Sequence, residues 1–378
     1  MISALLSDPA QRAGAILTVD LGAVVANWRS LRDRVAPAEC AAVVKANAYG
    51  LGAERVVAAL AAAGCRTFVV AQFEEALAVR AAAPDARILC LGGLPAGTAP
   101  DFTANRILPV LNHLGDIAAW QAHARTHGTP LPAVIHIDTG MNRLGLGPDE
   151  LDVLAGDLAA RLDGVDVRVW MTHLACAEAE SPMNARQLEA FRAAVARLPA
   201  AERSFANSSG IFHGPAAHFD LVRPGCALYG VNPTPALANP MRGTIRLDAR
   251  VLQVRSVDTA MTVGYGATHR VEARGKIATI AVGYADGYLR SLSGRGHVYV
   301  DGVAAPVVGR ISMDLVTVDV SHLPDGAVAP GGLVELIGPN RPVDTVADEG
   351  GTIGYEILTS LGARYHRVYR DPPPPEVA

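Results

Sequence analysis

Short apolar runs alternate with amphipathic segments along the larger, N-terminal part of the chain. Eight runs rich in β-branched residues predict strands at residues 42–46, 67–71, 87–91, 107–111, 133–138, 165–173, 204–207 and 219–223. The segments between them repeat their apolar residues with helical spacing, most clearly at residues 54–63, 74–83, 149–161 and 184–197. Continuously apolar strands are typical of parallel sheets that are covered on both faces. About eight strand–helix units in a row favour a closed (β/α)8 barrel, so the predicted class is α/β.

The pattern changes near the proline-rich segment at residues 231–235. After it come short alternating runs that predict strands at residues 245–257, 276–282, 297–300, 306–308, 315–320 and 333–337, followed by one late helix at 352–361. Asp301-Gly302 and Asp325-Gly326 are typical hairpin turns. We therefore expect residues 1–240 to form the barrel and residues 241–378 to form a mostly β domain. The proline-rich tail at residues 372–375 is expected to be disordered.

Composition excludes several classes of protein. Half of the 378 residues are apolar and 19% are charged, as in ordinary globular proteins. The net charge of −4 is too small to predict nucleic acid or a membrane surface as a partner. No secretion signal or membrane span is predicted, and five scattered cysteines without a CxxC pair predict reduced thiols in the cytoplasm. His123 and His127 have helical spacing but no third ligand nearby, so we expect no metal.

One lysine lies between an apolar run and a glycine-rich turn. Residues 42–52 place Lys45 at the predicted end of the first strand, and Tyr49, Gly50 and Gly52 follow it. Apolar surroundings disfavour the ammonium form, so the amine becomes available as a nucleophile or base. Such an amine suits Schiff-base chemistry with an aldehyde cofactor. A surface lysine that closes a strand is the alternative, and the anion-binding character of the turn counts against it.

Other unusual polar residues also follow predicted strand ends. They occupy residues 138–145 after the fifth strand, 172–175 at the sixth, 207–210 after the seventh and 223–226 after the eighth. Active sites of barrels lie at these ends, and the last two loops commonly bind phosphate. Their small residues would let backbone N–H groups approach an anion. Turn chemistry could explain each loop separately, but their joint placement predicts one site.

Together these segments resemble the motifs of alanine racemases, from about residue 16 to residue 370. The resemblance implies that Lys45 forms a Schiff base with pyridoxal 5′-phosphate. Arg223 matches the arginine that faces the pyridine nitrogen, and His173 matches the histidine beside the cofactor ring. The further residues that it implies for binding the cofactor, chiefly at its phosphate, are Tyr49, Asn207, Ser208, Gly225, Cys226 and Tyr355.

The resemblance also implies which residues act on the substrate. Tyr265 matches the second catalytic base, opposite Lys45, and Arg143 matches the arginine beside the substrate carboxylate. Met313 matches a backbone contact to that carboxylate, and Tyr284 matches a tyrosine at the substrate entrance. The implied reaction interconverts L-alanine and D-alanine by two bases, because racemisation removes a proton from one face of the α-carbon and returns one to the other.

Two further consequences follow from the resemblance. In the family, the tyrosine matched by Tyr265 reaches the active site of the other subunit, which implies a homodimer with shared sites. Arg223 stays protonated and offers no acceptor, so it would leave the pyridine nitrogen unprotonated. The cofactor is then a weaker electron sink, which restrains side reactions such as transamination. Related barrel decarboxylases place a carboxylate at this point, so Arg223 argues against them.

Two residues depart from the family pattern. His136 stands where many members have a lysine, often carbamylated, that supports the arginine matched by Arg143. That support must come from another group, such as a bound anion or water. Gly354 precedes Tyr355 where larger residues are common, which predicts a looser inner gate.

Three alternative functions remain open: a related decarboxylase, a racemase of broader specificity, and a non-catalytic protein that binds the cofactor in the same barrel. Carbon dioxide release from a diamino acid would favour the first, and equal rates on alanine and larger amino acids the second. The β domain and the second base count against the third, since binding alone needs neither. The sequence also leaves open whether the role is wall synthesis or alanine catabolism.

Overall fold

A computed structural model describes residues 8–372, which group into two compact units: residues 24–242, and residues 8–23 together with 243–372. Except for Pro372, the predicted disordered tail lies outside the described residues. The helical segments are α1 (Pro9–Arg12), α2 (Leu21–Val35), α3 (Lys45–Tyr49), α4 (Ala53–Ala62), α5 (Phe73–Ala82), α6 (Ala99–Ala104), α7 (Leu114–His127), α8 (Pro148–Gly156), α9 (Leu158–Arg161), α10 (Pro182–Val195), α11 (Val343–Gly350) and α12 (Gly354–Ser360).

The strands, in chain order, are β1 (Ala15–Asp20), β2 (Glu39–Cys40), β3 (Ala42–Val43), β4 (Thr67–Val70), β5 (Arg87–Cys90), β6 (Ile107–Leu111), β7 (Leu131–His136), β8 (Val165–Met171), β9 (Glu202–Ser204), β10 (Leu221–Val222), β11 (Ile245–Val257), β12 (Thr262–Val263), β13 (His269–Arg270), β14 (Gly275–Ile280), β15 (His297–Val300), β16 (Val303–Pro306), β17 (Val316–Asp319), β18 (Leu333–Ile337) and β19 (His366–Arg370). Within the described part of the chain, no helix is both long and apolar enough to cross a membrane.

The unit of residues 24–242 is a closed barrel. Strands β3 to β9 pair in parallel in chain order, and β2 pairs in parallel with β10. Beyond β2, the Ala41 N–H donates to the Val222 carbonyl (3.0 Å). On its other side β10 meets β9, where the Asp220 N–H donates to the Arg203 carbonyl (3.0 Å). Residues 39–43 therefore act as one strand that closes the sheet, and the predicted (β/α)8 barrel is confirmed.

The barrel strands are apolar because the helices and the barrel interior cover both of their faces. Phe68 and Val69 in β4, Ile88 and Leu89 in β5 and Val110 in β6 are all fully buried. Each such side chain stabilises the fold by about 1.5–3 kcal/mol relative to exposure. This uniform burial explains why the strands read as continuous apolar runs and not as alternating ones.

Most strands end earlier than predicted, although hydrogen bonds to the neighbouring segment continue beyond some of these ends, as from Val44 N–H to the Val69 carbonyl (2.9 Å) and from Arg223 N–H to the Ala206 carbonyl (2.9 Å). The first predicted strand ends at Val43, and the seventh ends at Ser204, although Phe205 and Ala206 remain buried. The apolar pattern follows burial, so it does not show the residue at which a strand ends.

The second unit is built around a β-sheet in which the order is β16-β15-β18-β11-β1-β19, and β14 joins β11 to β17. The division predicted at residue 240 is close to the observed one, but its assignment of the N-terminal residues to the barrel is wrong. Strand β1 lies between β11 and β19 in the β unit. Nothing near β1 in sequence predicts this, because both of its partners come from the C-terminal part of the chain.

One predicted turn in this unit is confirmed, and two other predictions need correction: the second turn and the single late helix. The turn at Asp301-Gly302 joins the paired strands β15 and β16, as predicted, and both of its residues have positive φ (48° and 83°). The turn at Asp325-Gly326 is not a hairpin, because β17 pairs with β14 whereas β18 pairs with β11 and β15. The late helix is α12, and a second helix, α11, precedes it.

Candidate active site

Lys45 lies directly beyond β3, at the carboxyl end of the first barrel strand. The next four residues, 46–49, have φ values between 52° and 55° and form one left-handed turn. Hydrogen bonds from Ala48 N–H to the Val44 carbonyl (2.9 Å) and from Gly50 N–H to the Ala46 carbonyl (2.8 Å) close it. Left-handed backbone costs about 1–2 kcal/mol for each residue other than glycine. Contacts from the surrounding barrel must therefore impose this turn.

Stacking of two tyrosines holds the buried end of the turn. The Tyr49 ring stacks on the Tyr229 ring with centroids 4.7 Å apart. The Tyr229 hydroxyl donates to the Val43 carbonyl (2.9 Å), so it fixes the strand end just before Lys45. At the other end of the turn, the Asn47 Oδ1 accepts from Ala53 N–H (2.7 Å) at the start of α4.

The Lys45 amine has no hydrogen bond or ion pair with any other described residue. Burial lowers the pKa of Lys45, the nearby Arg143 cation lowers it further, and the Glu75 carboxylate acts in the opposite direction. A lowered pKa increases the fraction of free amine at neutral pH. Lys45 therefore has the setting expected of a nucleophile or base.

A set of polar groups lies on the loops after the seventh and eighth strands. The Ser208 Oγ accepts from Gly225 N–H (2.9 Å) and Ala227 N–H (3.3 Å). The Asn207 Oδ1 accepts from Gly210 N–H (2.9 Å). These loops occupy the position at which barrels commonly hold phosphate.

Tyr49 joins this set because residue 225 is glycine. A β-carbon on Gly225 would lie 2.4 Å from the Tyr49 hydroxyl, so only glycine allows the two to approach. Burial, with a smaller effect of Cys226, raises the pKa of Tyr49. The Tyr49 hydroxyl therefore stays protonated and remains a donor. Tyr49, Ser208, Gly225 and Cys226, which were predicted from three separate segments, come together here.

Arg223 is a buried cation without a carboxylate partner among the described residues. Its guanidinium donates to the Thr172 carbonyl (2.6 Å) and to the Ser204 hydroxyl. The Nδ1 atom of His173 lies 3.5 Å away. Burial lowers the pKa of Arg223 to about 10, so it remains charged at neutral pH. Since all of these neighbours are neutral, its charge acts on the rest of the site.

Two histidines near Arg223 are held neutral. Burial, followed by the charges of Arg223 and Arg143, lowers the pKa of His173 to about 3. Burial and Arg223 lower the pKa of His136 to about 4. His136 Nδ1 lies 2.9 Å from Asn112 Oδ1. The Asn112 amide nitrogen donates to the Leu91 and Val110 carbonyls, so Oδ1 is the acceptor and Nδ1 carries the proton.

His136 therefore bonds to Asn112 and not to Arg143. The Arg143 side chain is exposed and has no hydrogen bond or ion pair with another residue of the described chain. Sequence reasoning missed Asn112, although it directly follows the strand at Ile107–Leu111 and so carries the same strand-end signal as the other loops. It also missed Glu75, whose pairing with Gln72 at the start of α5 has the spacing of a capping box.

The four remaining predicted residues lie in the β unit. Tyr265 lies between β12 and β13 and is 70% exposed. Tyr284 and Met313 lie on two joined loops, where Tyr284 N–H donates to the Ser312 carbonyl (3.1 Å) and Ala285 N–H donates to the Met313 carbonyl (3.0 Å). Tyr355 is half-buried near the start of α12. In residues 8–372, no three His, Cys, Asp or Glu side chains converge to hold a metal.

Residues 19–233 match the family model described as alanine racemase, N-terminal domain, and residues 244–369 match alanine racemase, C-terminal domain. The chain belongs to the alanine racemase family. It is 52% identical over 361 residues to an alanine racemase of Rhodospirillum rubrum, which covers 95% of this chain and 96% of that protein. It is 48% identical to a catabolic alanine racemase of Mesorhizobium japonicum, over 94% of this chain and 93% of that one.

Solved structures agree with this assignment. The alanine racemase of Bartonella henselae with covalently bound pyridoxal phosphate has a TM-score of 0.92 and 45% identity, over 95% of this chain and 100% of that one. The biosynthetic alanine racemase of Pseudomonas aeruginosa has a TM-score of 0.88 and 37% identity, over 95% and 99%. The resemblance inferred from the motifs is confirmed.

The neutral histidines predict how stability depends on pH. The pKa values of His173 and His136 in the folded chain, about 3 and about 4, lie below the ordinary value of 6.5. At a pH between the folded and the ordinary value, each histidine therefore binds more protons in the unfolded chain than in the folded one. We expect the free energy of unfolding to fall as the pH is lowered from 6.5 towards 4, by at most about 1.4 kcal/mol per pH unit for each imidazole.

Thermal unfolding across this pH range checks the expectation in wild type and in His136→Asn, whose amide does not titrate. The decline should be shallower in His136→Asn. His127→Asn, at an exposed position near the end of α7, is the matched control and should follow wild type. Parallel profiles for wild type and His136→Asn would contradict the prediction.

Proposed function

We propose that this protein interconverts L-alanine and D-alanine with bound pyridoxal 5′-phosphate, and that Lys45 and Tyr265 are the bases on opposite faces of the substrate. The observation that carries the proposal is Lys45 itself, an amine of lowered pKa at the end of a barrel strand, unpaired within residues 8–372. Membership of the alanine racemase family supports it, as does the covalently bound pyridoxal phosphate of the Bartonella henselae enzyme.

The residues at this rim of the barrel fit the cofactor. Lys45 would hold it covalently. The absence of a β-carbon at Gly225 leaves room for the Tyr49 hydroxyl, which is a hydrogen-bond donor. Arg223 would face the pyridine nitrogen and His173 the ring. Some groups would bind the phosphate directly, and others would hold the loops around it. These groups are Tyr49, Asn207, Ser208, Gly225, Cys226 and, from the β unit, Tyr355. When bound, pyridoxal phosphate withdraws electrons from the substrate α-carbon and makes its hydrogen acidic.

Lys45 and Tyr265 would move the proton. One of them, Lys45 Nζ or Tyr265 Oη, takes the α-hydrogen as a proton, and the other returns a proton to the opposite face, which inverts the configuration. The lowered pKa of Lys45 favours the unprotonated amine that this step needs. Tyr265 is 70% exposed, so its hydroxyl is open to a ligand.

Three groups would position the substrate. Arg143 presents a guanidinium with no partner in the described chain, and its planar fork matches a carboxylate. The Met313 N–H likewise has no hydrogen-bond acceptor among the described residues and could donate to the same carboxylate. Tyr284, which is 43% exposed, would line the entrance. Support of Arg143 by a bound anion or water, and the looser gate at Gly354, stay predictions.

Arg223 would direct the reaction towards racemisation. A decarboxylase of the related kind would need a carboxylate at this place, whereas the partners of Arg223 are a carbonyl, a hydroxyl and an imidazole. A guanidinium cannot accept a proton or donate one to the cofactor nitrogen, so it keeps the electron sink weak. A weak sink favours brief removal of the proton over longer-lived side reactions.

We further propose a cytoplasmic homodimer with shared active sites. Tyr265 and Met313 are 70% and 53% exposed, as is expected of groups that would complete a site in a second subunit. No disulfide joins the cysteines of the described chain, which is consistent with a reducing compartment. Relatives described as catabolic and as biosynthetic both match, so both metabolic roles stay open.

The first test is a chiral assay of the purified protein with L-alanine, with and without added pyridoxal phosphate. We expect D-alanine to form in wild type, and Lys45→Ala to lose at least about 1000-fold in rate because it loses both cofactor attachment and a base. The sequence contains one other lysine, Lys276, so Lys276→Ala is a matched control. Borohydride reduction should fix the cofactor on Lys45 only. Wild-type turnover by Lys45→Ala would contradict the proposal.

The second test concerns shared sites. When Lys45→Ala and Tyr265→Phe chains exchange subunits at equal amounts, half of the dimers are mixed and each has one intact site. We therefore expect recovery of about a quarter of wild-type activity. Each variant alone serves as the control. Absence of recovery, with mixed dimers demonstrated by native mass spectrometry, would show that sites are not shared.

The third test concerns the phosphate. Gly225→Ala places a β-carbon where the Tyr49 hydroxyl lies, so we expect the dissociation constant for pyridoxal phosphate to rise about tenfold or more through loss of a hydrogen bond to a charged group. Gly156→Ala, at an open position in α8, should bind normally. Equilibrium dialysis measures the affinity. Unchanged affinity in folded Gly225→Ala would remove Tyr49 and Gly225 from the phosphate site.

A further inference from the structure

Burial does not explain the first half of the left-handed turn after Lys45. Ala48 and Tyr49 are buried and held by packing, but Ala46 and Asn47 are exposed. Asparagine visits the left-handed region more readily than most residues, but alanine is strained there. The exposed Ala46 therefore needs a partner that holds its backbone in this conformation.

Glu75 supplies that partner. Its Oε1 accepts from Ala46 N–H at 2.6 Å, and Ala46 is the residue directly after Lys45. Its Oε2 accepts from Ala71 N–H (2.9 Å) and Gln72 N–H (3.1 Å), just beyond β4. One carboxylate thus ties the loop after the first barrel strand to the loop after the second.

The position of Glu75 is itself well determined. It lies in the first turn of α5, where it completes a capping box with Gln72. The helix and its cap fix the carboxylate before it meets the turn. A side chain fixed in this way can impose a backbone conformation, because it loses little freedom when the bond to Ala46 forms.

Glu75 also brings a negative charge to Lys45. The charged groups that act on the Lys45 amine are the Arg143 guanidinium and the Glu75 carboxylate, with opposite effects. The neighbouring Glu74 is exposed, and no hydrogen bond or ion pair of its side chain with a described residue is present. Glu75 and Glu74 therefore lie in the same helix and carry the same charge, but only Glu75 forms a hydrogen bond with the turn.

We propose that Glu75 is a positioning residue for Lys45: its carboxylate holds the strained turn that aims the amine. The importance of this for catalysis rests on the proposed function of Lys45. The effect of Glu75 on the geometry of the turn does not depend on that function, so the structural role and the catalytic role can be tested separately.

Glu75→Gln is the decisive variant. Glutamine is also a good residue at this place in a capping box, so α5 should persist. Its amide has one acceptor oxygen and one donor nitrogen, so it cannot accept at both Ala46 and Ala71, and it carries no charge. Glu75→Asp is the complementary variant, because it keeps the charge but is one methylene too short to reach Ala46.

Hydrogen exchange of the full-length protein, with and without pyridoxal phosphate, measures the turn. In Glu75→Gln we expect exchange in residues 45–52 to accelerate about tenfold or more, as for loss of a hydrogen bond to a carboxylate. Exchange in α5 and the Tm should stay near wild type. Glu74→Gln, the matched control, should change neither segment.

The charge is measured on the cofactor-free chain by carbon-13 NMR of its methylated amines. With only Lys45 and Lys276 in the sequence, Lys276 is an internal reference. Glu75→Gln should lower the pKa of Lys45, while Glu75→Asp should largely restore it. Racemase kcat should fall in Glu75→Gln with little change in KM, because positioning of a base affects the proton-transfer step more than binding.

Two outcomes would overturn the inference. Exchange and Lys45 titration in Glu75→Gln that match those of Glu74→Gln would show that Glu75 does not act on the turn. Equal acceleration in α5 and in residues 45–52, with a lowered Tm, would show that Glu75 is only a helix cap. Full racemase activity in Lys45→Ala would instead refute the function of Lys45 and leave the exchange result standing.

Discussion

Closure of the barrel between residues 39–43 and residues 221–224 is the contact on which the site depends. The Val43 N–H donates to the Pro224 carbonyl (2.9 Å), and the Val43 carbonyl accepts from the Tyr229 hydroxyl (2.9 Å). These bonds bring the strand end that carries Lys45 to the loop that begins with Gly225. Without them, the amine and the loop that begins with Gly225 would lie at two separate edges of an open sheet.

The buried charge of Arg223 sets the electrostatics of this rim. A buried cation is destabilising unless good hydrogen bonds offset its lost hydration, and here a carbonyl and a hydroxyl provide them. Burial, and after it the charge of Arg223, which no carboxylate in the described chain neutralises, lowers the pKa of both His136 and His173. The site therefore combines neutral imidazoles with cations, which suits an anionic ligand.

The turn after Lys45 shows where local propensity fails. Alanine favours the right-handed helix, yet Ala46 and Ala48 are left-handed here. Such strain persists only where surrounding contacts over-determine it, and it is often found at functional sites. Stacking of Tyr49 on Tyr229 is one such contact, and Tyr229 lies 180 residues later in the chain, after the last barrel strand. No window of sequence around Lys45 contains that information.

The sequence by itself determined the barrel, the presence of a β unit, and the residues at the strand ends, because burial on both faces makes strands apolar and leaves polar residues at their ends. The tertiary structure alone decided that β1 joins the β unit, that His136 bonds to Asn112 and leaves Arg143 without a partner in residues 8–372, and that Asp325-Gly326 is not a hairpin. These outcomes depend on which distant segments meet. Hydrogen bonds form between neighbours in space, and the local pattern of apolar and polar residues does not record them.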